Sequence, residues 1–267
     1  MSNIILAYPL SDSADLSGSV APASMPVSNL KAKQPTEVFR ILDPTSGFIN
    51  IDNGGLTIDL ICLLAHSAST RAYVRVRASN VLNDVESAPD YDSGNLPARS
   101  HQTTYATDDA NRSLDLNNFI LKLDNPVSYR YWRIDFIDSV SAFVDIGRLY
   151  MSLAWSPNVN ADYGLPIGWT DLSKLPRASS GQTVPLRKKK FRYAEFALTF
   201  LSEEEALDNL FELDRLRGTT EDVLFIKDIS NQNQLQRQTI YGRMAVLQPA
   251  SHANFLLYSK TFRIEEL

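Results

Sequence analysis

Residues 129–137, YRYWRIDFI, place Trp132, Ile134 and Phe136 on one side of an extended chain, with Arg133, Asp135 and Ile137 on the other. This period of two is the strongest constraint in the chain, because only a strand with one buried face satisfies it. Other runs repeat the pattern. In YVRVR, Val74 and Val76 oppose Tyr73, Arg75 and Arg77, and in NFILKLD, Phe119, Leu121 and Leu123 share a face. TIDLICLLAH is apolar almost throughout. Polar, turn-rich stretches such as SNVLNDVESAPDYDSGNLPARS separate these runs. Many short strands with almost no helical period predict a mainly β fold, an antiparallel sandwich or jelly roll over residues 1–155.

The composition changes after that. Residues 156–188 hold Pro157, Pro166, Pro176 and Pro185 with scattered glycines. Proline resists both helix and central strand, so this stretch reads as an extended arm or linker. Trp155, Tyr163 and Trp169 make it too aromatic for a free tether; the expectation is that it packs on its own chain or on a neighbouring subunit. Residues 189–267 begin with the strand FRYAEFALTFL, on which Arg192, Ala194, Phe196, Leu198 and Phe200 share a face. SEEEALDNLFELDRLRG then predicts a helix. Ser202 and Glu205 have capping-box spacing, Arg215 and Arg217 suit its negative end, and Gly218 suits its stop. Leu207, Leu210, Phe211 and Asp214 are expected to share a face, with Ala206 and Leu213 beside it. The strands DVLFIKD, RQTIYGRMAVLQP and FLLYSKTFRIEEL follow.

Charge narrows the function. Residues 1–155 hold 12 basic and 17 acidic side chains, and residues 156–267 hold 14 of each. Neither part has the basic excess that sequence-specific nucleic-acid binding requires. The one basic cluster, RKKKFR at residues 187–192, reads as a solvated end of the arm, or as a contact for an acidic partner. No run approaches the ~20 apolar residues of a membrane span, and the N-terminus has no basic leader, so the expectation is a chain not exported by a recognisable signal. The single cysteine, Cys62, lies in an apolar run, where a thiol acts as a small hydrophobe.

Catalytic signatures are missing: no nucleophile elbow, phosphate loop, zinc-binding helix or dinucleotide fingerprint occurs, and the chain is expected not to be an enzyme. His66, His101 and His252 lack ligand spacing. The pairs Asp90/Asp92 and Asp108/Asp109 lie in loops, and adjacency in sequence does not set a catalytic separation. Asp43, Asn50, Asp52 and Asn53 offer oxygen ligands for a structural calcium without EF-hand order, and an Asx-turn loop accounts for the same residues. No cofactor is required. Tyr91, Arg99, His101 and Tyr105 combine rings with hydrogen-bonding groups, as sugar contacts do.

Three segments, PVSNL (26–30), TIDLICLLAHSASTRAYVRVRASN (57–80) and YRYWRIDFIDSVSAFVDIGRLYM (129–151), resemble a galactose-binding-like, discoidin-type jelly roll. The matched features are Asn29-Leu30, Asp59-Leu60, Val74 to Ser79, Arg130 to Ile134 and Asp145 to Leu149. On that resemblance Trp132 and Ile134 are core, and Arg130, Arg133 and Arg148 are structural or rim residues. The whole chain also resembles tail proteins of long-tailed bacteriophages, most specifically in IGRLYMSLAWSPNVNADYGLPIGWTD, LFELDRLRGTTEDVLFIKD and IYGRMAVLQP. This implies that residues 189–267 form a tail-tube-like β-sandwich flanked by one helix, of the kind shared with distal-tail proteins. It implies a homo-oligomeric ring, most often a hexamer, joining tube to tip or baseplate, in contact with other tail proteins. The site would be the tail tip of a virion assembled in the host cytoplasm. Distal-tail proteins place the ring domain first, and here the order is reversed. Assembly contacts are expected from Trp155, Tyr163, Trp169, Arg187, Lys188, Phe191 and Tyr241, with residues 191–200 and 236–247 as free sheet edges. The alternative is a module that binds host-surface glycans.

Overall fold

The computed structural model describes residues 2–99, 117–254 and 256–267. It divides into two units. The first comprises Leu6–Trp155 with Asp228–Arg237, and the second Ser2–Ile5, Ser156–Lys227 and Gln238–Leu267. Both are mainly β.

After a short strand β1 (Ile5–Ala7), the first unit holds β2 (Asp15–Gly18), β3 (Phe39–Ile41), β4 (Gly47–Asp52), β5 (Ile58–His66) and β6 (Tyr73–Ser79). One helical turn, α1 (Asp84–Ser87), precedes β7 (Tyr91–Pro97), β8 (Asn117–Val127), β9 (Tyr131–Ile137), β10 (Val144–Ile146) and β11 (Arg148–Ser152). A five-stranded antiparallel sheet runs β2-β4-β9-β6-β7, a three-stranded sheet runs β11-β5-β8, and β10 pairs with β3. Ile49, Ile51, Val74, Val76, Trp132, Ile134 and Phe136 meet Ile61, Leu63, Phe119, Leu149 and Met151 in one core. The alternation in β9 is therefore the sandwich's inside-out period, as its sequence predicts. Strand β5 is buried on both faces, which explains its continuous apolar run. Its Cys62 is fully buried, and burial pushes the thiol well above its ordinary pKa, so it has no nucleophilic character at neutral pH.

Buried polar groups tie the strand ends. The fully buried Arg148 donates to Asp12 at 2.7 and 3.0 Å and to the Leu30 carbonyl at 3.3 Å. Asn29 Nδ2 donates to the Val38 carbonyl (3.0 Å), and the Asp59 carboxylate accepts from the Ala154 amide (2.7 Å) and from Lys122. Of the residues that carry the jelly-roll resemblance, Asn29, Asp59 and Arg148 are therefore structural ties. Segment 228–237 is held by an amide clasp in which Asn118 N donates to Gln236 Oε1 and Gln236 Nε2 to the Asn118 carbonyl.

The second unit contains β12 (Ile167–Asp171), β13 (Lys190–Leu201), β14 (Asp222–Ile226), β15 (Thr239–Met244), β16 (Ser251–Asn254) and β17 (Leu257–Glu266). Its sheet runs β14-β15-β17-β13-β12, with β16 also on β17. Residues 191–200 and 236–247 are thus not free edges: β13 lies between β17 and β12, and β15 between β14 and β17. The edge belongs to β12, inside the stretch read as an arm. A register shift between Leu198 and Leu201 turns Phe200 outward and Leu201 inward, against the simple alternation expected. Tyr241 is buried, its hydroxyl donating to Asp222 Oδ2 at 3.1 Å, and supports the sheet instead of offering a surface.

The helix, α2, is π-wound over Glu205–Phe211 and α-helical over Glu212–Arg217. The capping box forms: Glu205 N donates to Ser202 Oγ (3.2 Å) and Ser202 N to Glu205 Oε2 (3.0 Å). Gly218 ends the helix at φ +54°. Ala206, Leu210 and Leu213 are buried, whereas Leu207 and Phe211 are exposed. The i→i+5 winding changes the angle between successive residues, so a face read at the α period is displaced.

Two predictions follow from the buried groups. Replacing Asp12 by alanine strands the Arg148 charge inside the first unit. The loss, measured from denaturant midpoints, should fall somewhat below the ~3–5 kcal/mol typical when a fully buried pair is broken, because Asp12 keeps partial solvent contact. His66 is fully enclosed, with Nε2 2.9 Å from the Ala98 carbonyl, and burial lowers its pKa to about 4. The unfolded chain takes up this proton near pH 6.5 and the folded chain only near 4. Stability should therefore fall as the pH is lowered from about 6.5 to about 4, by roughly 3 kcal/mol, and His66→Phe should flatten that slope in thermal scans across pH.

Candidate functional site

The outward face of the five-stranded sheet is set by the same alternation that fills the core. Pairing of β2 with β4 and of β4 with β9 places Asp15, Asp52 and Tyr131 in one row and Ser17, Asn50 and Arg133 in the next. Each of these residues faces away from Leu16, Ile51 and Trp132, which lie inward between the rows. The segment through α1 rises beside this floor with Leu82, Asn83 and Glu86. Floor and wall enclose an open cleft of about 560 Å³.

Its polar groups are oriented by one another. Arg133 donates to Asn50 Oδ1 (3.2 Å), Asp135 Oδ1 (2.7 Å) and Glu86, and its guanidinium lies 4.2 Å from the Phe48 ring centroid. Arg77 bonds Asp135 (2.7 Å) and the Glu86 carbonyl (2.8 Å), which pins the wall to the floor. Arg130 chelates Asp52 at 3.0 Å and lies over the Tyr131 ring at 4.9 Å. That guanidinium, with the Gly54 amide, holds the Asp52 carboxyl below its usual pKa, so it is ionised at neutral pH. Trp132 forms the floor beneath, its indole N–H donating to the Tyr129 carbonyl (2.9 Å). Asp15, Ser17 and Asn83 are exposed at the rim with Leu82. The arrangement offers carboxylate, amide and hydroxyl groups beside an aromatic ring, on a rigid sheet.

Asn50 and Asp52, weighed for calcium, line this cleft, whereas Tyr91 and Arg99, singled out as sugar contacts, do not. Tyr91 is on β7 with its ring 6.1 Å from Trp132, and burial raises its hydroxyl pKa. Arg99 donates to the Ala68 carbonyl (2.9 Å) and lines a second depression with Leu96, Lys122 and Asp124. His101 and Tyr105, like Asp108 and Asp109, lie outside the described residues. Asp90 accepts from Ser79 Oγ (2.8 Å), while Arg75 holds the Asp92 carboxyl at about 2. The loop weighed for calcium is hydrogen-bonded within itself: Asp43 accepts from Thr45 and Ser46, Asp52 from Gly54, and Asn53 from Gly55. Among the described residues no three His, Cys, Asp or Glu side chains gather as a metal site. No described helix is long and apolar enough to cross a membrane.

Of the residues weighed for assembly, Trp155 pairs with Leu6 through two backbone hydrogen bonds of 2.9 Å. Tyr163 and Trp169 are exposed, Phe191 is half-buried opposite Thr170, and Arg187 and Lys188 are exposed.

No protein-family model matches the sequence, and no curated protein matches it. Solved structures do show likenesses. The family 32 carbohydrate-binding module of NanJ from Clostridium perfringens, in complex with galactose, is 12% identical, with 55% of this chain and 98% of that one covered and a TM-score of 0.39. A module of the same family from the same organism, in complex with GlcNAc-α-1,4-galactose, is 12% identical over 55% and 94% of the two chains, at 0.34. An F-lectin from striped bass (Morone saxatilis) serum is 9% identical over 98% and 89%, at 0.41. At these scores none of them decides a ligand or an activity.

Missing from the sequence reading were Asp15, Asn83 and Tyr131. The signal was half visible: Arg133 was legible as an outward residue of β9, and Tyr131 lies two residues before it on the same period. What brings Asp15 to them is a pairing of β2 with β4 across some 35 residues, for which the local pattern holds no marker.

Proposed function

We propose that the first unit is a non-catalytic glycan-binding module and that the cleft on β2, β4 and β9 receives the sugar. The observation that supports this reading is the row Asp15, Asp52 and Tyr131 beside Asn50 and Arg133. Arg133 is bonded to Asn50 and Asp52 is held by Arg130, while the exposed Asp15 stands across the β2–β4 pair from Asp52, all next to a ring that can lie on a sugar's apolar face. Vicinal hydroxyls present paired donors and acceptors, which such groups match. Three carboxylates against one arginine line the cleft, which favours neutral over acidic sugars. Galactose-binding-like architecture, implied by the sequence resemblance, is consistent with this role.

The expected result is binding to neutral oligosaccharides on a glycan array, followed by calorimetry. Tyr131→Ala should weaken affinity by up to about tenfold, the equivalent of losing an aromatic contact of ~1.4 kcal/mol. Asp15→Asn should weaken it without loss of stability, since the side chain is exposed and faces Asp52. Equal affinity in both variants, or no glycan bound, would remove the reading.

A second reading concerns the other unit. The sequence resemblance to tail proteins supports, for this unit, a structural role in a phage tail tip, as a distal-tail-like ring component contacting tube and tip proteins in the virion. The two readings are compatible, one for each unit.

A further inference from the structure

Residues 172–190 form a two-stranded projection that continues the β12–β13 pair. Lys174 and Leu186 exchange backbone hydrogen bonds of 3.1 and 2.8 Å, Arg177 pairs with Thr183, and Gly181 at φ +82° closes the tip. Pro176 and Pro185 do not prevent the pairing, because Pro176 uses its carbonyl to accept from Val184 N (3.0 Å). Apart from the half-buried Ser173, every residue of the projection is exposed, including Leu172, Leu175, Val184 and Leu186, the most open being Leu175 at 67%. The projection carries six basic side chains and no acidic one, while the remainder of the chain holds 20 basic and 31 acidic residues. Apart from Lys190, which lies 3.5 Å from Asp171, its cations make no ion pair among the described residues.

Another part of the same unit has the opposite character. The outward strip of α2 exposes Glu203, Glu204 and Asp208 around Leu207 and Phe211, the last at 56%. None of the three carboxylates forms an ion pair among the described residues. Both surfaces are bare in one chain, so the projection does not serve its own helix.

We infer that the basic hairpin of one chain docks on the acidic, apolar strip of α2 in a second copy. The inference deepens the assembly reading of the second unit and is independent of glycan binding. Opposite charges on the two surfaces steer the encounter, and exclusion of Leu172, Leu175, Val184 and Leu186 from water with Leu207 and Phe211 holds it. A polyanion would neutralise the cations but would leave the four apolar side chains of the hairpin uncovered. A protein surface carrying both acids and exposed hydrophobes matches the whole hairpin, and the chain itself provides one.

The test is the mass of the full chain by light scattering over a concentration series. Wild type should form species of at least twice the monomer mass, diminished at 1 M salt, where the Debye length is ~3 Å. Two triple variants, Arg187→Glu/Lys188→Glu/Lys189→Glu and Glu203→Lys/Glu204→Lys/Asp208→Lys, alter exposed side chains only. Each alone should lose the large species while staying folded, and an equimolar mixture of the two should regain it. The hairpin variant should keep an unchanged melting temperature and the helix variant a slightly lower one, because its lysines oppose the positive helix end. Wild type that associates while the hairpin variant associates equally would overturn this inference and leave the assembly reading standing. A wild type monomeric at every concentration would remove both. Hairpin-dependent retention on heparin without any self-association would assign the hairpin to a polyanion and likewise overturn the inference.

Discussion

The pairing of β9 between β4 and β6 fixes the first unit. Once Trp132, Ile134 and Phe136 are inside, Tyr131, Arg133 and Asp135 must be outside, because a slip of one residue would exchange the two sets. The apolar side decides the register. Each of those large side chains contributes ~1.5–3 kcal/mol on burial, whereas the largely shielded Arg–Asp contacts of the outer face spend most of their attraction on desolvation. What those ion pairs provide is orientation. Arg133 is held at three acceptors and Asp135 by two arginines, so the cleft floor is arranged before any ligand arrives.

Polar ties complete the sandwich where strands end and the ladder cannot satisfy the backbone. Arg148 joins β11 to the turns at Asp12 and Leu30, and Asp138 accepts from the Ser69 amide and hydroxyl and from the Val140 and Ser141 amides. Burial alone would raise the pKa of Asp138, but those donors outweigh it and hold the carboxyl well below its usual range. Gly147, next to Arg148, is required by space: a Cβ there would lie 2.5 Å from the Pro35 carbonyl oxygen. The sequence stretch from Asp145 to Arg148 is thus a packed corner. Asp145 pairs with Arg40, Gly147 admits the neighbouring backbone, and Arg148 is wholly internal.

Local patterns were legible wherever neighbours in sequence determine the outcome. The alternation of β6 and β9, the capping box at Ser202 and Glu205, and the stop at Gly218 all depend on contacts within a few residues. Features set by distant pairings were not. Nothing in the local pattern says that residues 228–237 join the first unit, where Gln236 clasps Asn118. The proline-rich stretch 156–188 reads as irregular, yet its backbone pairs through the positions that proline leaves free. The outward turn of Phe200 and of Leu207 and Phe211 arises from a bulge and a π-wound segment, each a departure from a simple period. The candidate site follows the same division, since Arg133 was legible as an outer-face residue but its meeting with Asp15 and Asn83 was not.

The two units therefore present different chemistry to solvent: a preorganised polar cleft on one, a basic hairpin and an acidic helical strip on the other. The proposed place of ligand recognition is the cleft of the five-stranded sheet. Hydrogen–deuterium exchange with and without a bound neutral oligosaccharide tests its location directly. Binding in the cleft should add protection in residues 15–17, 50–52, 82–86 and 131–133 and leave 172–190 unchanged. Protection confined to other segments, with these four unchanged, would contradict it.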